Sequence, residues 1–174
     1  MFAPFLSHFM QVHQQQYTPH QGWTSDQTVW ALPEAQWVLV TGFRDTLEES
    51  NFFATIHEHY PAAEITLASS AGDIQAETLV EDAVVLTAIQ LEKSSIRSAS
   101  ARLSEEKRHS SAGRELARVL EAEDLRMGFL LSDGHMVNVG QLVEGLNEVF
   151  EGQVPVSGGL AEDGYNFART VVGL

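Results

Sequence analysis

The chain has 174 residues, enough for one domain with a real core, and 44% of them are hydrophobic, as in an ordinary globular protein. A formal net charge of −14 gives a surface that repels phosphate backbones and anionic bilayers, so neither nucleic acid nor a membrane is expected as a partner. There is no cysteine, which excludes disulfides, thiol catalysis and Cys-based zinc or iron–sulfur sites, and no run approaches the roughly 20 apolar residues of a membrane span.

The first ten residues are apolar but lack a basic n-region. They lead to Gln14-Gln-Gln16 rather than to a small-residue cleavage site, so no signal peptide is expected and the chain reads as cytoplasmic. Residues 1–33 carry Pro4, Pro19 and Pro33, several Gln and His, and the aromatics Tyr17, Trp23 and Trp30. They predict an N-terminal arm, with a short helix or loop packed on the domain over 23–32. Residues 34–174 are expected to form the domain proper.

Residues 37–43 are a compact apolar run ending near Gly42, which predicts a buried strand. Residues 46–59 predict a helix: Leu47, Phe52, Phe53 and Ile56 approximate one face, Thr46 and Glu49 have capping-box spacing, and Pro61 stops it. Residues 64–68 predict a second strand, which runs into the small-residue turn Ser69-Ser-Ala-Gly-Asp73. Residues 83–91 form a long apolar strand, and the alternation over 94–102 suggests that it continues. A helix is expected over 104–121, with Leu116, Val119 and Leu120 as its apolar stripe and the charge run 104–109 as a solvated first turn. A buried strand over 127–131 ends at Ser132-Asp-Gly134. A helix over 139–150 turns Leu142, Val143, Leu146, Val149 and Phe150 inward. A short strand over 154–156 ends at Ser157-Gly-Gly159, and a further strand begins at 167.

This order gives an α/β fold whose mixed sheet is built from two repeated strand–helix–strand–strand units with helices packed on it. The punctuation supports the repeat: Thr41 and Ser132 lie 91 positions apart, and Asp73 and Asp163 lie 90 apart. If the strands are parallel neighbours, their closing turns fall at one sheet edge, where ligands of α/β folds bind.

Three turns could carry chemistry: 68–73, 131–134 and 156–164. Each follows a strand and offers hydroxyls, glycine and a carboxylate. Glycine lets the backbone approach a ligand, free N–H groups hold an anionic group, and Ser and Asp take an amine or a hydroxyl, so the set suits a small zwitterion. The same residue types also serve plain strand-to-helix turns and caps. No P-loop, dinucleotide fingerprint or Gly-x-Ser-x-Gly elbow occurs. Ser132, Asp133 and His135 look like a compressed triad, but sequence neighbours rarely reach triad geometry, so no enzyme is expected. His57 and His59 do not share a helix face, and zinc spacing is absent. His109 and His135 are the conceivable axial ligands for a haem iron, against the plainer reading of both as surface histidines.

The stretches Phe129-Leu-Leu-Ser-Asp-Gly-His-Met-Val-Asn138, Val154-Pro-Val-Ser-Gly-Gly-Leu-Ala-Glu-Asp-Gly164 and Phe167-Ala-Arg-Thr-Val-Val172 resemble the N-terminal FIST domain, of the F-box and intracellular signal transduction proteins. Upstream, Tyr60–Ile74 resembles the family's segment in which a strand enters a Ser-Thr-x-Gly-Glu-Ile turn. Here Ser70 stands for the Thr, Asp73 for the Glu, and Ala68-Ser69 where Gly-Cys is common. The resemblance covers about residues 34–174, and the second, C-terminal FIST half is absent from this sequence. It implies a bacterial intracellular sensory domain that binds a small ligand, such as an amino acid, for signal transduction. The runner-up it implies is a haem-binding nitric-oxide sensor that regulates a histidine kinase or a cyclic-di-GMP enzyme. By motif position, the implied pocket residues are Ser69, Ser70, Gly72, Asp73, Ser132, Asp133, Ser157, Gly158, Gly159 and Asp163.

Overall fold

The computed structural model describes residues 10–25, 28–49, 51–103, 109–164 and 168–173. In chain order the elements are β1 (Met10–Thr18), β2 (Gly22–Thr24), β3 (Trp37–Gly42), α1 (Arg44–Leu47), α2 (Phe52–His59), β4 (Glu64–Ser69), β5 (Asp73–Gln75), β6 (Thr78–Val80), β7 (Val84–Leu91), α3 (His109–Leu120), β8 (Gly128–Asp133), α4 (Val139–Phe150), β9 (Val156–Ala161) and β10 (Val172–Gly173). A mixed six-stranded sheet has the order β10-β4-β3-β7-β1-β2, in which only β3 and β4 run parallel. β5 and β6 form a hairpin, and β8 and β9 form a separate parallel pair. No helix among the described residues is long and apolar enough to cross a membrane.

Strands β3, β4 and β7 form because their apolar, β-branched residues alternate into one core. Val38, Val40, Ile65, Leu67, Val84, Leu86 and Ala88 pack with Phe52, Ile56 and Tyr60 from the α2 side. The Tyr60 phenol is fully buried and donates to the Ala31 carbonyl at 2.8 Å, and burial pushes its pKa up to about 12. A second core lies under α3 and α4, where Ala117, Leu146 and Phe150 meet Leu130 and Val156 of the β8–β9 pair.

The segment expected to be an irregular arm instead contains β1, which runs antiparallel beside β7 with Met10 opposite Leu91 and Tyr17 opposite Val84. Its Gln and His content hid it. His13 and Gln15, the residues on its core face, are both buried, and His13 Nε2 and Gln15 Nε2 have no hydrogen-bond partner. Of the short helix or loop expected over 23–32, the described part is the end of β2 followed by a loop packed on the core through Trp30 and Leu32, and residues 26 and 27 lie outside the description. Trp30 and Leu32 take left-handed φ of 62° and 58°. They are held there by the Trp23–Trp30 ring contact at 4.7 Å and by Trp30 N donating to Gln15 Oε1.

The helix expected over 46–59 divides into α1 and α2. Thr46 sits buried inside α1 instead of capping, and Phe43 holds the N-cap position without a side-chain bond. No strand occurs over 94–102, while the β5–β6 hairpin is a surface element that apolar patterning does not announce. In α3 the buried residues are Ala112, Gly113 and Ala117, whereas Val119 is 61% exposed; the expected first turn, 104–108, lies outside the described residues. The reason is the α3–α4 crossing. A Cβ on Gly113 would lie 2.1 Å from the Leu142 carbonyl oxygen, and one on Gly145 would lie 2.0 Å from that of Ser110. The helices are too close for large residues at the contact. α4 itself begins as its sequence suggests, with the Asn138 side chain accepting from Gln141 N.

Both strand–helix–strand units, β3–α2–β4 and β8–α4–β9, pair their strands in parallel. Their third strands diverge, with β7 beside β3 and β10 beside β4 of the other unit. The expected repeat of strand–helix–strand–strand units in one sheet is therefore not borne out beyond this shared parallel pairing.

Candidate functional site

Strands β3, β4, β8 and β9 bring their carboxyl ends to one region. Ser69, the last residue of β4, is the hub. Its N–H donates to the Val171 carbonyl at 2.8 Å, its carbonyl accepts from Glu162 N at 2.9 Å, and its Oγ accepts from Val171 N at 2.9 Å. Ser70 N donates to the Gly42 carbonyl at 2.9 Å, which ties the turn to the end of β3. Ser70 Oγ lies 2.7 Å from the Gly72 carbonyl and 3.0 Å from Gly72 N, closing a tight local turn.

Asp163 is the most enclosed charge, with its side chain fully buried. Its Oδ2 accepts from Ala168 N at 2.8 Å, Arg169 N at 3.0 Å and the Arg44 guanidinium at 3.1 Å, while Oδ1 lies 3.3 Å from His135 Nε2. Burial opposes its ionisation, but the two amides and His135 outweigh burial and hold the carboxyl below the usual range. Arg44 is shared with Asp45, whose side-chain bond is the largest influence raising the guanidinium above its ordinary pKa. One buried carboxylate thus joins the start of α1, the turn after β8 and the segment leading to β10.

Asp133, at the end of β8, does similar work. Oδ1 accepts from His135 N at 2.8 Å and Met136 N at 2.6 Å, and Oδ2 accepts from the Thr170 hydroxyl. Burial again opposes the charge, but these donors prevail and its pKa is lowered. Asp73 is the contrasting case. Its pKa is raised because burial outweighs the hydrogen bonds from Thr41 and Ser70. It is the carboxylate of the cluster whose charge the protein satisfies least.

Ser69, Ser70, Gly72, Asp73, Asp133 and Asp163 therefore gather at one end of the two parallel strand pairs. Ser132 is close in sequence but buried, and its hydroxyl is 3.4 Å from the Asp133 carbonyl, so it makes no triad with His135. Ser157, Gly158 and Gly159 are not a turn. They lie inside β9, exposed, opposite Phe129, Leu130 and Leu131. Ala161, two positions after Gly159, pairs with Asp133, so the Ser-Gly-Gly run leads along β9 into the cluster.

Sequence reasoning missed Arg44 and Thr170, and it weighed His135 only for a triad or a haem iron and Thr41 only as a mark of the repeat. The available signal was position: Arg44 follows β3 directly, and Thr170 precedes β10. Two surface cavities, of about 450 and 180 Å³, lie away from the cluster. The larger is lined by residues 121–126 and 149–154 at the C-terminal ends of α3 and α4, and the smaller by Phe53, His57 and residues 63–65. No group of three or more metal-binding side chains occurs among the described residues.

No curated protein and no solved structure matches the chain. The model of the FIST N domain matches residues 36–174, which takes in every element from β3 onward and leaves β1 and β2 before it. The chain therefore belongs to the FIST N domain family of signal-transduction sensory domains.

Proposed function

We propose that this chain is a bacterial intracellular sensory domain. It takes a small zwitterionic metabolite, such as an amino acid, on the shelf at the carboxyl ends of β3 and β4. The supporting observation is the contrast between its carboxylates. Asp133 and Asp163 are consumed by internal donors and brace the shelf, whereas Asp73 is held with its charge poorly compensated beside Thr41 and Ser70. A ligand ammonium beside Asp73 supplies the missing counter-charge, and a ligand carboxylate takes the Ser70 hydroxyl and the Gly72 amide in place of their bonds within the turn. The ammonium favours the charged form of Asp73, so binding weakens in acid as that carboxylate is protonated. Occupancy of the shelf bears on α1 and β10 through Ser69 and Asp163, and a histidine kinase or a cyclic-di-GMP enzyme reads the change.

The haem reading finds less support in these residues. His135 turns its Nε2 to Asp163, His109 Nδ1 accepts from Asn138 N at 2.7 Å, and neither histidine lines either of the two cavities described above. The sensory reading is tested by a thermal-shift panel of amino acids and related zwitterions on the 174-residue chain. A ligand at a hundred times its Kd stabilises the fold by about 2.7 kcal/mol. The expected result is a shift that Asp73→Asn and Ser70→Ala each diminish. A panel that gives no shift, or a shift that both variants leave intact, overturns the assignment.

A further inference from the structure

The Ser157-Gly158-Gly159 run lies in β9, whose outer edge has no strand partner among the described residues. The six-stranded sheet ends on β10 with two residues and on β2 with three, and such short edges resist pairing with another chain. β9 has six residues and pairs only with β8 among the described residues. Four successive positions, 157–160, are exposed. β8 lies against β10, where Asp133 accepts from Thr170, and β9 meets β4 where Glu162 N donates to the Ser69 carbonyl just past the strand.

β9 also lacks the devices that guard an edge. Residues 154–161 contain no charged side chain in a chain of net charge −14, and the only proline, Pro155, precedes the strand. In parallel β8–β9 pairing, Gly128 faces Val156, Leu130 faces Gly158 and Ser132 faces Leu160. Opposed residues share a face, so Val156, Gly158 and Leu160 look toward α3 and α4, where Val156 and Leu130 join the second core. Leu160, on that side, is 43% exposed.

We propose that β9 is a homodimer edge, pairing antiparallel with β9 of a second copy about a two-fold axis normal to the sheet. The register that keeps like faces together sets Gly158 against Gly158 of the partner subunit and Val156 against Leu160 of the partner subunit, twice over. The result is a four-stranded sheet covered on one side by α3 and α4 of both copies. The occupant is a second copy because this uncharged stretch is self-complementary about Gly158 and is where two such acidic chains can meet without like charges opposed. In this register Glu162 falls opposite Val154 of the partner subunit, so no acid meets an acid in the ladder even though the rest of the surface is strongly acidic. The approach at the axis is free of side chains, since both central residues are glycine.

Sedimentation equilibrium from about 1 µM to about 1 mM covers the affinities of so small an interface. The wild-type chain is expected to show a reversible dimer. Leu160→Lys, which places a charge on the edge, is expected to weaken it at least about tenfold, with unchanged circular dichroism. Met136→Lys, at a 70% exposed site outside β9, is expected to leave it intact. The absence of native cysteine gives a second readout. A Val156→Cys, Leu160→Cys double variant is expected to form covalent dimers on oxidation, whereas either single variant does not. Within one chain the two positions are about 13 Å apart, beyond disulfide reach. A monomer throughout the range, a dimer indifferent to L160K, or single variants that cross-link as well as the double would each overturn the proposal.

Discussion

Replacing Gly145 by alanine tests the α3–α4 crossing that supports β8 and β9. Helix propensity alone predicts a gain, because alanine is favoured over glycine in a helix interior by about 1 kcal/mol. Geometry predicts the reverse. The new Cβ would lie 2.0 Å from the Ser110 carbonyl oxygen, 2.8 Å from its carbon and 2.9 Å from its Cα. An ordinary C···O approach is about 3.3 Å, so the helices must separate by roughly 1 Å or more, and no side-chain rotation can relieve a backbone contact. Overpacking costs about 1–3 kcal/mol and occasionally more, and a backbone clash belongs at the upper end. After subtracting the propensity gain, Gly145→Ala should destabilise by about 2 kcal/mol. For a chain of this length that lowers Tm by about 4–8 °C. Gly140→Ala, in the exposed first turn of the same helix, meets only Asn138 Oδ1 at 3.4 Å and should be neutral or stabilising by up to about 1 kcal/mol. Thermal and urea unfolding followed by circular dichroism measure both. If Gly145→Ala melts at or above the wild-type temperature, the close crossing is wrong, and with it the account of why α3 buries alanine and glycine.

Further outcomes follow from the cluster and the core. Because burial raises the Asp73 pKa in the folded state, its ionisation favours the unfolded chain. Stability from the protonated form is complete below the unfolded pKa near 3.8 and is lost as pH rises through the folded value. Asp73→Asn should therefore raise Tm at pH 7, with the gain vanishing at low pH in a Tm–pH series; an equal gain at every pH would refute this. Asp133 has a lowered pKa, so its contribution is present above about 3.8 and is lost as pH falls through the folded value, and Asp133→Asn should flatten the acid limb of the same series. Asp163→Asn should lower Tm more than Arg169→Ala does. The Arg169–Glu48 pair is solvent-exposed on the Arg169 side and should be worth under about 1 kcal/mol by urea titration. Tyr60→Phe leaves the Ala31 carbonyl without its phenol donor and should cost about 1–2 kcal/mol in the same titration.

The parts of the fold legible in the sequence are those where burial dictates residue type. β3, β4 and β7 are legible because Val38, Val40, Ile65, Leu67, Val84, Leu86 and Ala88 alternate into one core, and α4 announces itself through Asn138 and the spacing of Leu142, Leu146 and Phe150. Elements governed by particular contacts were not legible. The inward stripe of α3 is set by closeness to α4, which selects small residues and leaves Val119 outside. β9 was mistaken for a turn because serine and glycine favour bends when nothing is known of the neighbouring strand. In the cluster, Ser69, Asp73, Asp133 and Asp163 could be found because they punctuate strand ends. Arg44 and Thr170 could not, since each is defined by a carboxylate more than 30 positions away.

β1 raises a separate matter of selection. Its glutamines occupy both faces, so sliding the strand by one residue would exchange Gln15 for Gln14 or Gln16 on the inner side with little change in the apolar area enclosed. What distinguishes the native alignment is Gln15 Oε1 receiving Trp30 N, together with Tyr17 seated 5.3 Å from both Trp23 and Phe52. The alignment of the leading strand is thus decided by rings that follow it in the chain. Damage at Trp30 would be felt fifteen positions upstream, as a choice among near-equal pairings with β7 rather than as the loss of a single contact.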